Sequence, residues 1–297
     1  MKPARSEFIR IGWNGIRLAV PDRWEVSRIG LRYLHFEDGA GPRLEIKWGP
    51  IRGRFSHGKQ LSRLASVQKG RAGSNVSACE PPPGWEKALG RYDARFFAWQ
   101  NETMGGTGAL IYCAECHTWM LLQFFSRSAS PDTPLFPKIL ASLKDHSRDG
   151  RRFWSVYDIR ATTPPGFDLT RYRLDAGAFE LHLTAPESKL SLYRWGPANI
   201  LMKERDLMGF ARVVWRLPEK DPAFLPDIGS EGLEWRIAAS KGIWSGIWAR
   251  IRPGHAFQSY RIWREKGKNR ILGMTRTGKR PPAPGLLNQI CNDYESI

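Results

Sequence analysis

Leu44–Pro50 reads LEIKWGP, and Leu190–Pro197 reads LSLYRWGP. The Trp-Gly-Pro triplet of the first stretch recurs 147 residues later (195 − 48). The chain has 297 residues, so this displacement is close to half its length. A repeat on that scale predicts two copies of one domain, each large enough to bury its own hydrophobic core.

The similarity continues on both sides of the triplet. Tyr33–Phe36 pairs with Glu180–Leu183 at the same displacement, and both alternate apolar and polar residues as half-buried strands do. After the triplet the apolar residues recur at helical spacing, which predicts amphipathic helices near 57–69 and 203–216. Each copy is therefore expected to combine strands with helices.

The remainder of each half follows one pattern. Three strand-like runs lie at 91–99, 108–113 and 119–125 in the first half, and at 246–252, 257–263 and 270–275 in the second. A Pro-led helix then closes each half. The sequence thus predicts an α+β fold, in which an internal duplication has produced two tandem copies of an antiparallel sheet flanked by helices. The polar run 144–152 places the boundary, giving domains at 1–148 and 149–297.

The order of these elements resembles a known fold. A hairpin with a Pro-x-x-Trp turn at Pro21–Trp24, an amphipathic helix, an antiparallel meander and a terminal helix are similar to the PsbP-like α/β/α sandwich. That fold is shared by the extrinsic oxygen-evolving protein of photosystem II and by a Ran-binding nuclear-transport factor. The resemblance covers both copies and implies a fold only, since it carries across no functional residue.

The chain is strongly basic, with 46 Lys and Arg against 29 Asp and Glu, and the excess is spread over both copies. Such a charge favours a polyanionic partner, and a generally basic surface explains it equally well. No run approaches the about 18 apolar residues that a membrane helix needs. Met1–Val20 contains no apolar segment of the kind found in signal peptides. We therefore expect a cytoplasmic protein.

The sharpest local motif is Cys113-Ala114-Glu115-Cys116-His117. Cys113, Cys116 and His117 could supply three zinc ligands, with Cys79 or another histidine completing a tetrahedron. The spacing also matches the c-type haem attachment motif, but that attachment requires an exported protein. It matches the cysteine pair of thioredoxin-like proteins too, but that pair opens a helix, and here a strand follows. The corresponding hairpin of the second copy has no thiols. The interpretation we favour is a hairpin turn that binds nothing, and we predict no cofactor.

The second half contains a basic hairpin at 260–280. Tyr260 and Trp263 stand among its cations, and phosphate-neutralising cations beside rings that stack on bases are typical of sequence-tolerant nucleic-acid binding. Because the alternate residues are apolar, the solvated outer face of a sheet also explains the charge, and this interpretation is favoured. The candidate nucleic-acid contacts are Arg261, Arg264, Lys266, Lys268, Arg270, Arg276, Lys279 and Arg280.

The sequence shows no catalytic constellation. It has no metal-type spacing of histidines, no nucleophile elbow, no phosphate-binding loop and no dinucleotide-binding turn. Trp235, Trp244, Trp248 and Trp263 exceed the need of one core and suit an interface between the copies. We predict a non-catalytic binding or scaffold protein with a protein partner. A nucleic-acid-binding protein and a metal-binding protein are the alternatives.

Overall fold

The computed structural model describes residues 7–72, 75–126, 134–225, 232–238, 257–265 and 267–297. The chain divides into two compact units, unit 1 at Met1–Ser147 and unit 2 at Arg148–Ile297. About half of the structure, 50%, is strand, and only 17% is helix. The fold is therefore mainly β, and the α+β prediction of helix-flanked sheets is wrong.

The physical reason is the length of the elements. Strands in both units reach eight residues or more, whereas two of the helices span only four residues each. The predicted helices exist, at His57–Ala72 and Leu207–Trp215, but strand residues far outnumber helical ones. The sequence pattern also missed the short hairpins with which both units begin.

Unit 1 contains nine strands and three helices within its described residues. They are β1 (Phe8–Trp13), β2 (Ile16–Pro21), β3 (Glu25–Gly30), β4 (Tyr33–Asp38), β5 (Gly41–Pro50), α1 (His57–Ala72), β6 (Asn75–Ala78), α2 (Trp85–Ala88), β7 (Asp93–Gln100), β8 (Gly105–Cys113), β9 (Thr118–Ser126) and α3 (Leu135–Ser142).

Unit 2 follows a similar order. Its described elements are β10 (Arg152–Val156), β11 (Ile159–Thr163), β12 (Asp168–Asp175), β13 (Ala178–Ala185), β14 (Ser188–Trp195), α4 (Ala198–Leu201), α5 (Leu207–Trp215), β15 (Ala223–Leu225), β16 (Gly232–Ala238), β17 (Phe257–Arg264), β18 (Ile271–Gly278), α6 (Leu286–Asn292) and β19 (Glu295–Ser296).

The main sheets of the two units share one strand order. Unit 1 arranges its seven strands as β3-β4-β5-β9-β8-β7-β6, and unit 2 arranges its seven as β12-β13-β14-β18-β17-β16-β15. The pairs within both sheets are antiparallel. The β8–β9 and β17–β18 hairpins consequently occupy the same place in the two sheets.

The register of the ladders displaces the repeated Trp-Gly-Pro triplet by one residue. Leu34 pairs with Ile46 in unit 1, and its counterpart Leu181 pairs with Leu192 in unit 2. Ile46 therefore corresponds to Leu192, and two residues further on Trp48 corresponds to Arg194 rather than to Trp195. Burial agrees, because Leu44, Ile46 and Trp48 alternate inward as Leu190, Leu192 and Arg194 do.

Each main sheet has apolar side chains on both faces. In unit 1, Phe97 and Leu121 pack with Leu61 and Leu64 of α1 on one face. On the other face Phe136 of α3 stacks on Phe124, with ring centroids 4.1 Å apart. In unit 2, Phe210 of α5 belongs to one core with the buried side chains of Trp195, Trp235, Ile262 and Ile271.

Some predictions fall outside the described residues, namely the strand at 246–252, Trp244, Trp248 and Lys266. Among the residues that are described, no helix combines the length and the apolar character that crossing a membrane demands.

Candidate metal centre

The tip of the β8–β9 hairpin brings two thiols together. Cys113 is the last residue of β8 and pairs with Thr118, so residues 114–117 form the turn. His117 closes that turn with a φ of 53°, in the left-handed region. Because side chains alternate along a strand, Cys113 lies on the same face as the buried Ile111 and is only 5% exposed. The turn then returns Cys116 toward that face.

The segment after α3 supplies two further candidate ligands, Asp145 and His146. Leu143 is buried and extended, which ends the helix. The Lys144 amide donates to the Arg17 carbonyl at 2.7 Å, and the Arg17 amide donates back to the Lys144 carbonyl at 2.8 Å. This pairing with β2 fixes the backbone at 143–146 and holds Asp145 and His146 against the hairpin tip.

Cys113, Cys116, Asp145 and His146 each offer one potential ligand atom, and these four atoms all lie within 4.8 Å of one another. Cys116 Sγ lies 2.9 Å from Asp145 Oδ2, and Cys113 Sγ lies 3.9 Å from His146 Nδ1. Ligands held about 2.0–2.3 Å from a tetrahedral zinc ion are separated by about 3.3–3.8 Å. Adjustments of about 1 Å in these side chains would bring the four atoms to the spacing of a tetrahedral zinc site.

A second layer of polar groups orients two of these ligands. His146 Nε2, the ring nitrogen turned away from the thiols, lies 3.1 Å from the Glu115 carboxylate. The Tyr92 hydroxyl donates to Asp145 Oδ1 at 2.9 Å. Metal-bound histidines commonly donate their other ring N–H to a carboxylate, and ligating carboxylates commonly accept outer hydrogen bonds. The cluster has both features.

Burial and charge keep the thiols protonated in the absence of a cation. Burial, together with the hydrogen bond and charge of Asp145, raises the pKa of the Cys116 thiol to about 12. Burial likewise raises the pKa of Cys113. Burial opposes ionisation of Asp145 too, but hydrogen bonds from both thiols, Tyr92 and His146 bring the pKa of this carboxyl below its usual value. A divalent cation would remove the repulsion between the carboxylate and the thiolates.

The structure unites two of the three ligands predicted from the motif. His117 is exposed and lies apart, with Nδ1 2.8 Å from the Tyr112 hydroxyl. Within the described residues, Cys79 is not part of the cluster. Sequence reasoning missed Asp145 and His146 as ligands because it interpreted the polar run 144–152 only as a domain boundary.

Several of the predicted nucleic-acid contacts form ion pairs with carboxylates of the protein instead of a continuous basic surface. Arg261 is buried against Glu234 at 2.9 Å, and Arg270 pairs with Asp158 at 3.0 Å. Lys268 pairs with Glu265 at 3.2 Å. The structure places the others as follows: Arg276 is buried and donates to the Arg280 carbonyl, Arg264 is half-buried, and Lys279 and Arg280 are exposed.

Comparison with known proteins adds no family. No family model matches the chain, and no curated protein matches it. A crystal structure from Bacteroides thetaiotaomicron VPI-5482 is similar at 13% identity and a TM-score of 0.32, over 53% of this chain and 54% of that one. The chain thus spans about half the length of that protein.

Immunity protein TplEi of T6SS from Pseudomonas aeruginosa, in its apo form, is similar over 98% of both chains at 10% identity and a TM-score of 0.30. These similarities are too weak to argue fold or function. They give no support to the PsbP-like resemblance, which stays a prediction.

Proposed function

We propose that unit 1 is a metal-binding module whose centre takes Zn(II) through Cys113, Cys116, Asp145 and His146. The convergence of four ligand atoms within 4.8 Å carries the proposal. Two thiolates, one imidazole and one carboxylate form a donor set that suits zinc, whereas calcium and magnesium prefer oxygen ligands alone.

The arrangement favours a structural ion over a catalytic one. Catalytic zinc sites offer three protein ligands and keep the fourth position for water or substrate. Here four protein groups fill the tetrahedron, so the proposal is of a non-catalytic protein. A cytoplasmic location belongs to the same proposal, because all four cysteines are free and a reducing compartment keeps thiols available to metal.

The test measures metal content and coordination in the full chain purified without chelators. We expect one zinc ion per chain and, after exchange for Co(II), a thiolate-to-cobalt charge-transfer band with the intense visible absorption of a tetrahedral site. Cys116→Ser and Asp145→Asn should weaken or abolish both signals. The matched controls Cys79→Ser and His117→Asn should leave both unchanged. A chain that binds neither ion would refute the proposal.

A protein partner is the second proposal, and the apolar side chains that unit 2 exposes support it. Ile200, Val213 and Phe224 are 65%, 62% and 61% exposed. Contiguous exposed apolar groups mark interaction surfaces, and this proposal takes these three side chains to form one such patch. We expect Val213→Asp to release a co-purifying protein that Leu31→Asp, an equally severe change at another exposed apolar position, retains.

A nucleic-acid partner stays a prediction from the sequence. Because Arg261, Lys268 and Arg270 already have carboxylate partners, the cations more available to phosphate are the exposed Lys279 and Arg280, of which Arg280 lies 3.9 Å from the Glu187 carboxylate. Fluorescence anisotropy of labelled oligonucleotides over a salt series tests it, since phosphate contacts release counterions and weaken steeply with salt.

A further inference from the structure

In its described residues, unit 2 holds the equivalent of the candidate metal centre with neither a thiol nor an imidazole. Trp48 pairs with Met120, and its counterpart Arg194 pairs with Leu272. In the next ladder Met120 pairs with Ile111 and Leu272 pairs with Trp263. Two residues beyond these partners stand Cys113 in unit 1 and Glu265 in unit 2. The hairpin tips therefore correspond residue by residue at this point, and three residues further on Cys116 corresponds to Lys268.

The segments that face the two tips correspond as well. The buried residues Phe136, Ile139, Leu140 and Leu143 have the same spacing as Leu287, Ile290, Cys291 and Tyr294. Two residues after each set stand Asp145 and Ser296. The residues between agree in their pairing, because Lys144 bridges to Arg17 of β2 and Glu295 pairs with Arg160 of β11.

In unit 2 charged groups join the tip to the tail. The Glu265 carboxylate accepts hydrogen bonds from the Ser296 amide at 3.1 Å and from its hydroxyl. Lys268 donates to the Ser296 carbonyl and pairs with Glu265. Charge-assisted hydrogen bonds of this kind are about twice as strong as neutral ones. We call this set, Glu265, Lys268 and Ser296, the ionic clasp.

Unit 1 joins the same two places through a histidine rather than a lysine: His146 Nε2 lies 3.1 Å from the Glu115 carboxylate of the tip, and His146 Nδ1 lies 3.1 Å from Asp145 Oδ1. Its tip offers two thiols, which are weak hydrogen-bond donors, to a buried carboxylate and an imidazole. Where unit 2 has the Lys268 ammonium, unit 1 has Cys116. In the part of the chain that the structure describes, no lysine or arginine pairs with the four ligand groups. A divalent cation bound by these groups would stand where unit 2 has the Lys268 ammonium.

We infer that the metal ion of unit 1 acts as the counterpart of the ionic clasp, joining the β8–β9 tip to the segment after α3. This inference rests on the proposed function and assigns the ion its role. Zn(II) closes this end of unit 1, and its loss releases the tip and the segment 143–146. Unit 2 keeps its closure at any metal concentration.

Hydrogen exchange of the full chain tests the inference. Peptides covering 112–119 and 143–147 are compared between protein loaded with Zn(II) and protein stripped by a chelator that is then removed. We expect exchange in these peptides to be at least about tenfold faster without zinc. Peptides covering 264–271 and 293–297 serve as the internal control and should not change.

A variant supplies the second readout. Cys116→Ser keeps the size of the side chain and removes one ligand, so with Zn(II) present it should exchange like the stripped wild type. The inference is overturned if the chain shows the cobalt spectrum of a thiolate site but exchanges equally with and without zinc. In that case the metal site stands and only its role as a clasp fails. Absence of the cobalt spectrum would instead refute the site itself.

Discussion

The Arg261 guanidinium and the Glu234 carboxylate form an ion pair at 2.9 Å, and each side chain is only 3% exposed. The two residues are directly opposite in the β16–β17 ladder. At the corresponding place in unit 1, Phe96 lies opposite Ala109. One unit therefore fills this part of its sheet with an apolar pair and the other with buried charges.

Removing one member of this ion pair should destabilise unit 2 strongly. Arg261→Met leaves the Glu234 charge buried without its main partner, which typically costs about 3–5 kcal/mol. Arg236→Met is the control, because Arg236 also pairs with Glu234 but is largely exposed, and its loss should cost at most about 1 kcal/mol. Urea unfolding monitored by circular dichroism measures both changes. Equal effects of the two variants would contradict the assignment.

The apolar pair of unit 1 should be able to replace the ion pair. We expect Arg261→Ala combined with Glu234→Phe to be much more stable than Arg261→Met, because exchanging both buried charges for apolar groups is often neutral. The free energy of unfolding of the double variant decides this. A value as low as that of the single variant would show that the surroundings of the two pairs differ.

His35 should make the stability of unit 1 depend on pH. Its Nδ1 lies 2.8 Å from Ser27 Oγ and 3.3 Å from the Glu37 carboxylate. Burial lowers the pKa of His35 below the ordinary value of 6.5, and the positive charges of Arg28 and Lys47 lower it further. The negative charges of Glu37 and Glu45 raise this pKa but do not outweigh the lowering. The folded state then binds fewer protons than the unfolded state as pH falls.

The stabilisation from neutral His35 is thus complete above about pH 6.5 and is lost progressively below it. We expect the wild type to lose more stability than His35→Gln between about pH 7 and about pH 5. His117→Gln, at an exposed histidine, is the control and should follow the wild type. Identical pH profiles for wild type and His35→Gln would contradict this prediction.

Gly108 should not tolerate a side chain. A Cβ atom there would lie 2.6 Å from the Leu122 carbonyl oxygen and would overlap the Phe97 ring. Gly108→Ala is therefore expected to cost about 1–3 kcal/mol through overpacking. Gly58→Ala, in open space near the start of α1, is the matched control and should be neutral or stabilising by up to about 1 kcal/mol. Thermal unfolding of the two variants makes the comparison.

The residues that orient the metal ligands should affect metal affinity. Tyr92→Phe removes the hydrogen bond to Asp145, and Glu115→Gln replaces the carboxylate next to His146. Each change is expected to weaken zinc binding about 10–100-fold. Competition with a chromophoric chelator measures the affinity. Tyr112→Phe, which removes only the contact with His117, should bind zinc like the wild type.

The extent of prediction from sequence depends on how local each feature is. Alternation predicted β8, β9 and β17 to within a few residues, because the period of apolar residues reflects burial of one strand face. The Trp-Gly-Pro triplet identified the repeat, but the sequence did not reveal that Trp48 and Trp195 differ by one residue in strand register. The balance of strand and helix was misjudged because the short hairpins β1–β2 and β10–β11, with strands of five or six residues, were not predicted.

The sequence predicted only two of the four residues of the candidate metal centre, again because only local features can be recognised in a sequence. Cys113 and Cys116 are neighbours in the chain, so their spacing predicts a pair. Asp145 lies 29 residues beyond Cys116, and tertiary contacts such as the pairing of Lys144 with Arg17 bring it there. Likewise, the basic hairpin has acidic partners, Asp158 and Glu234, that are remote from it in sequence. Counting the cations of the hairpin without these partners overstated the positive charge that is available to a ligand.

The one-residue displacement between Trp48 and Trp195 limits how the two halves can be recombined. In a strand, a slip of one residue moves each side chain to the other face of the sheet, so the same residue of the two triplets points to opposite faces. In a chimaera joined at Trp-Gly-Pro, the residues before the junction would therefore move to the opposite face of the sheet, and core side chains would point to the wrong face. Crossover at Leu44 and Leu190, which share a side, would keep every alternate residue in its native surroundings.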